Sequence, residues 1–326
     1  MRIFSLLGLS FAAILFAACS SSAPLIGANP TSPGQMQSAL RGIGPNGVPP
    51  HVSTMRGWMV SPDRHHHHRL KRLYVSDEGD GVVDVFALPS LSLVGQITAG
   101  LSQPEGIATD RLGNLYVSNL SGNTVTVYHQ GKTSPYLTLT GSSGPDDVAV
   151  AKNGYVLAGD TGGGVDVYPP GATSPSTRLI NSAISSVYGV GVDSHNNVYA
   201  AGFGGAGAVV VEYANMAGSG TNLGLTGLGG PAGVLVDNHG NLVVSDIGLS
   251  LIDIYPPGKT SPSSTISVTS PDRTSINNLE NTLYVPQGGN DSVDILSYPA
   301  GSSLGSLGLT NFVSGAATAP APAPVP

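Results

Sequence analysis

No feature of this sequence limits the fold as sharply as its repeat. One aromatic ends the third apolar run of each copy, at Phe86, Tyr128, Tyr168, Tyr213, Tyr255 and Tyr298, so the spacings are 42, 40, 45, 42 and 43 residues. Residues 104–145 show one copy in full. An apolar stretch (106–109) leads through a turn (110–113) to a second run (114–118), another turn (119–123) and a β-branched run (124–128). A Gly-Lys-Thr-Ser-Pro corner and an outer run (136–140) complete it. Four short strands divided by Gly, Asn, Asp and Pro turns make one propeller blade. A lone sheet of this length leaves both faces apolar, so the copies must stack radially and close into a ring. The predicted fold is all-β, a six-bladed β-propeller of four-stranded antiparallel blades.

Inner strands are predicted at 57–60, 106–109, 147–150, 189–192, 233–236 and 274–277, and second strands at 73–76, 115–118, 155–158, 198–201, 242–245 and 283–286. Small residues at Gly106, Ala108, Ala149, Gly189, Gly191 and Gly233 suit the crowding near a propeller axis. In this reading residues 57–60 open the first blade, and residues 312–314 either add a closing strand or run off into a tail. The chain divides into an export segment (1–19), a Gly/Pro/Ser-rich tether (20–50), the propeller (51–312) and an Ala/Pro-rich tail (313–326).

Composition agrees with an all-β domain. Forty-five Gly and 25 Pro stand beside only 10% charged residues, and both residue types are costly inside helices. The net charge of -7 argues against a nucleic-acid partner, which calls for clustered Lys and Arg. A single cysteine, Cys19, excludes an internal disulfide, so burial and sheet hydrogen bonds must hold the fold.

Units such as GNLYVSNLSGNTVTVY and HGNLVVSDIGLSLIDIY resemble the NHL repeat and, more loosely, the YVTN-type repeat of bacterial surface propellers. The resemblance runs from about Gly57 to Leu309; the Trp-Asp dipeptide of WD40 repeats is absent. The N-terminal segment carries one positive charge and an apolar run too short for a comfortable membrane span, as export signals do. Its end, Phe16-Ala17-Ala18-Cys19-Ser20, resembles a bacterial lipobox. That resemblance implies lipidation of Cys19, and Ser20 implies sorting to the outer membrane, periplasmic or surface-exposed, with the lipid as the membrane contact.

In propellers of this superfamily the loops entering the inner strands and those joining the second and third strands share one face, around the channel mouth. The resemblance therefore places Glu105, Asp146, Asp147, Tyr188, Asp272 and Arg273 there as candidate ligand-binding residues, with Asp77, Glu78, Asp80, Asn119, Asp160 and Asp246 beside them. Such a ring of carboxylates offers oxygen ligands to a hard cation such as Ca²⁺, with Glu105 and Asp147 as candidate ligands. Against this stand plainer roles: solvated loop carboxylates for Glu105, Asp146 and Asp147, and amide-capping turn residues for Asp77, Asn119, Asp160 and Asp246. The opposite face receives Arg64, Arg69, Lys71, Arg72, Lys132 and Lys259. It also receives His65, His66, His67 and His68, which are either a site for Zn²⁺, Ni²⁺ or Cu²⁺ or a pH-sensitive polar loop.

Lactonases of the SMP-30 type are similar six-bladed propellers that hold a divalent metal through Glu, Asn and Asp. Here Asp147, Tyr188, Ala232 and Thr274 stand where the Asn ligands belong, and no histidine falls on an entry loop as in streptogramin-lyase-like propellers. No Ser/His/Asp frame, phosphate loop or Cys/His cluster is present. The expected function is a non-enzymatic binding module of a cell-envelope lipoprotein, a monomer meeting an envelope protein or glycan. The alternative is a metal-dependent hydrolase or lyase working at the channel mouth.

Overall fold

The computed structural model describes residues 71–288 and 290–319, which form six four-stranded antiparallel sheets. Blade 2 shows the pattern: Pro104–Thr109, Leu115–Asn119, Thr124–Tyr128 and Leu137–Leu139 run from the axis outward. Blades 3, 4, 5 and 6 begin with inner strands Pro145–Val150, Ser186–Val192, Pro231–Val236 and Ser275–Ile276. Each contains the inner and second strands expected from the repeat.

Blade 1 corrects the expected boundaries. Its inner strand is Val313–Ala319, which pairs antiparallel with Arg72–Asp77, and Val82–Ala87 and Ser92–Ile97 complete the sheet. Of the two readings of residues 312–314 the closing strand holds, and it continues to Ala319 through residues assigned to the tail; all seven residues of the strand are buried. Composition concealed it, because Ser314, Gly315, Ala316, Ala317 and Thr318 read as linker, yet small side chains are what the packed axis accepts. A Cβ on Gly315 would stand 2.8 Å from the Glu105 carbonyl oxygen. Residues 57–60, the tether, Cys19 and His65 to His68 lie outside the described residues.

The apolar core is distributed along the seams rather than gathered at one centre. Each of six buried clusters lies between two neighbouring blades; one joins Val83, Val85 and Ile97 of blade 1 to Ile107, Val117 and Tyr128 of blade 2. Another joins Leu73 and Phe86 of blade 1 to Tyr284 and Val293 of blade 6. Alternation along each strand supplies one apolar face to either neighbour, which is why no blade is stable alone. Three of the periodic tyrosines tie their blade to the preceding connection. Tyr128, Tyr168 and Tyr255 donate their hydroxyls to the carbonyls of Ala99, Thr140 and Thr226, each on the connection from the preceding blade, at 2.6, 3.2 and 2.9 Å.

Turns between inner and second strands repeat one device. Asp110, Asp193 and Asp237 each accept the amides two and four residues on and the side-chain amide of Asn114, Asn197 or Asn241, at 2.7 to 2.9 Å. The penultimate turn position is left-handed, held by Gly113, Asn196 and Gly240, and in blade 6 by Glu280 at φ 49°.

Candidate functional site

The channel mouth on the strand-entry side is organised by one side chain. Arg273 enters at the head of blade 6, where its amide donates to the Ser314 carbonyl and its own carbonyl accepts from Ala316, both on the closing strand. Its guanidinium then spreads over the axis. Nη1 donates to Glu105 Oε2 of blade 2 at 3.2 Å and to Asp272 Oδ1 at 3.0 Å. Nη2 is paired with Asp146 of blade 3, and Nε donates to the Tyr188 carbonyl of blade 4 at 3.2 Å.

Asp147 is hydrogen-bonded to the backbone rather than to the guanidinium. Its Oδ1 accepts the Val148 amide and its Oδ2 the Val190 amide, both at 2.8 Å, which pins blade 3 to blade 4. Arg273, Glu105, Asp146, Asp147 and Asp272 are all buried. The six residues expected at the mouth are therefore brought together, Tyr188 through its carbonyl, while its ring stands edge-on to Phe203 at 6.0 Å. The expectation of solvated loop carboxylates is corrected for Glu105, Asp146 and Asp147: a buried cation and backbone amides bind them instead.

Electrostatics of this cluster are a contest between burial and Arg273. Burial raises the Asp147 carboxyl to about 7 and that of Asp272 to about 6, with Arg273 pulling both down. Glu105 and Asp146 are raised by burial as well, again opposed by Arg273. Burial alone would lower Arg273, and the surrounding carboxylates overcome it and hold the guanidinium charged.

The second-to-third strand turns fill the rim. Asp77 accepts the Asp80 amide at 2.8 Å, Asn119 the Ser102 amide at 3.0 Å, and Asp246 the amides of Gly230 and Leu249 at 2.8 and 2.9 Å. These are capping roles, as expected. Asp160 departs from the pattern: it is paired with Arg178, which also donates to Asp166 at 3.0 Å. Asp84, in the equivalent strand position to Asp166, accepts Gln96 Nε2 at 2.8 Å.

Arg273 engages one oxygen each of Glu105, Asp146 and Asp272, so a cation at the mouth would have to share these carboxylates with a guanidinium. Asp147 has both oxygens committed to amides. The donor set expected for Ca²⁺ is thus present in composition, gathered around a guanidinium whose positive charge would oppose a cation beside it. Sequence reasoning named Arg273 as one lining residue and missed that it is the hub. The available signal was that it is the only basic residue among the entry positions.

Below Arg273 the channel contains a cavity of about 200 Å³ walled by Val148, Val190, Val234 and Ala316. At the opposite face lies a wider cavity of about 550 Å³, lined by Arg111, Lys152, His195, His239, Val192 and Val236 among others. On its rim Asp237, His239 and Glu280 approach one another. Asp237 already accepts four hydrogen bonds, including Tyr298 OH at 2.7 Å, and Glu280 accepts the Asn238 amide at 2.7 Å. That leaves His239 Nδ1 and the second Glu280 oxygen, 3.7 Å apart, too few ligands for a transition-metal site.

Comparison with protein-family models finds no match, and no curated protein matches the sequence. Solved structures do match in three dimensions. A chain from the crystal structure of a nidogen/laminin complex superposes with a TM-score of 0.65 at 14% identity, covering 78% of this chain and 100% of that one. A chain of Kuenenia stuttgartiensis hydrazine synthase gives a TM-score of 0.51 at 14% identity, over 69% of this chain and 73% of that one. Likeness at this identity establishes the six-bladed propeller fold and nothing finer.

Proposed function

We propose that this chain is an exported, lipid-anchored protein of the cell envelope whose propeller is a non-enzymatic binding module, presenting its carboxylate-rich mouth to a protein or glycan. The observation that carries this reading is the placement of Arg273 among Glu105, Asp146 and Asp272. The rival, a metal-dependent hydrolase or lyase at the same mouth, would have to hold its cation beside the Arg273 guanidinium. Propellers commonly serve as interaction modules, and the fold is compatible with many functions. The lipobox-like run ending at Cys19 supports export and anchoring.

Two measurements test the reading. Calorimetric titration of the mature chain with Ca²⁺ is expected to give no tight one-site binding. A tight site lost in the Glu105→Ala, Asp146→Ala, Asp147→Ala triple variant would favour the hydrolase and justify a lactone and ester screen. Radiolabelled palmitate fed to expressing cells is expected to enter the wild-type chain and not Cys19→Ser; no label in either would remove the anchor.

A further inference from the structure

Charge is sorted between the two faces of the ring. Strand direction fixes the assignment: the inner-to-second turns, the third-to-fourth loops and the start of Arg72–Asp77 all lie on the face away from Arg273. That face carries Lys71, Arg72, Arg111, Lys132, Lys152 and Lys259, so every lysine of the chain is on it. The two remaining described cations, Arg178 and Arg273, are engaged by carboxylates within the fold. His129, His195 and His239 also belong to the basic face.

Its acidic residues are Asp110, Asp193, Asp237, Glu212 and Glu280. The three aspartates are tied into their own turns, Glu280 takes the Asn238 amide, and Glu212 accepts Tyr199 OH at 3.3 Å. The other described carboxylates lie in third strands or toward the Arg273 face, Asp77, Glu78, Asp80, Asp246 and Asp291 among them. The described chain also enters and leaves the ring on the basic face, at Lys71 and Ala319.

We infer that this face is turned toward an anionic lipid surface, so that the propeller stands with its carboxylate-ringed mouth pointing away from the membrane. The inference rests on the anchored reading above and adds an orientation to it. The basic face is only weakly cationic in sum, so it supplies direction rather than affinity. A negative leaflet attracts Lys and Arg within a Debye length and repels the opposite face. The first described residue, Lys71, lies on the side the lipid headgroups would draw in.

The single thiol makes a direct test possible. The mature chain is coupled through Cys19 to a maleimide lipid in vesicles of phosphatidylcholine alone or of phosphatidylcholine with phosphatidylglycerol. Acylation of each lysine by a neutral amine reagent is followed by mass spectrometry, with Ser121→Lys adding a reference amine on the mouth side. Expected is slower acylation of Lys71, Lys132, Lys152 and Lys259 relative to Lys at 121, by about threefold on the anionic vesicles at low salt. The difference should vanish near ~0.5 M salt and shrink in the Arg72→Glu, Arg111→Glu variant. Equal ratios on the two vesicle types, or protection unchanged in that variant, would overturn the orientation. The chemical tether provides the anchor here, so such a failure leaves the lipidation of Cys19 to its own labelling test.

Discussion

Arg273 and Asp146 form an ion pair across the axis of the ring, joining blade 6 to blade 3, the blade diametrically opposite. Their partners extend the tie to Glu105 of blade 2, the Tyr188 carbonyl of blade 4 and, through the backbone, Ser314 of blade 1. One side chain thereby couples blades that share no apolar seam.

Removing that cation should be severe. Arg273→Leu leaves Glu105, Asp146 and Asp272 buried without a counter-charge, and the expected loss is about 3–5 kcal/mol at pH 7.5. Urea unfolding of wild type and variant checks it. A change below about 1 kcal/mol would show that the carboxylates are solvated after all.

Stability should fall as pH rises through the range in which the buried carboxyls ionise. Asp147 and Asp272, raised to about 7 and about 6, hold their protons in the fold at pH values where the unfolded chain has released them. Their favourable contribution is complete below the ordinary carboxylate range and is lost as pH climbs toward 7. The urea midpoint is therefore expected to be higher at pH 5.5 than at pH 8, with a smaller difference in Asp147→Asn. A midpoint that increases with pH contradicts the assignment.

Ring closure gives a sharp truncation boundary. A chain ending at Phe312 lacks the inner strand of blade 1 and exposes the seam containing Leu73 and Tyr284, so it should lose its cooperative melt and bind a hydrophobic dye. A chain ending at Ala319 keeps every pairing of that strand and should melt like the full chain. Circular dichroism on both decides the matter.

Close approach at the axis is equally testable. A Cβ on Gly106 would lie 2.1 Å from Asp147 Oδ1 and 2.6 Å from its Cα, whereas one on Gly308 meets nothing within 4 Å. Gly106→Ala should cost about 3 kcal/mol or more through overpacking, and Gly308→Ala should change the thermal midpoint little.

The repeat made the blades legible because each strand carries its own alternation and each turn its own Gly, Asn or Asp. Tyr128, Tyr168 and Tyr255 could be used as a ruler because their hydroxyls close the same seam in each copy. The closing strand was legible only as one of two choices at residues 312–314, since Ser314 to Thr318 carry no large apolar side chain and the burial that makes them a strand comes from packing beside Arg72–Asp77. The mouth was half legible. Strand direction brought Glu105, Asp146, Asp147, Asp272 and Arg273 to one rim, but only the ring's diameter determines that one guanidinium reaches three carboxylates. Asp160 illustrates the same limit, since its Arg178 partner lies a full strand pair away in sequence.

The strand pairing inside blade 1 of Ser76 with Gly315, whose hydroxyl and carbonyl meet 239 residues apart, has a consequence for the order of assembly. A chain emerging from its N-terminal end delivers three strands of blade 1 first and their inner neighbour last. Until then the domain is an open arc, with the raw edge of Arg72–Asp77 waiting for a partner and a long loop still to be closed. Late sealing of this kind keeps the ring open until nearly all of the described chain has been made, so no partly made chain holds the locked state.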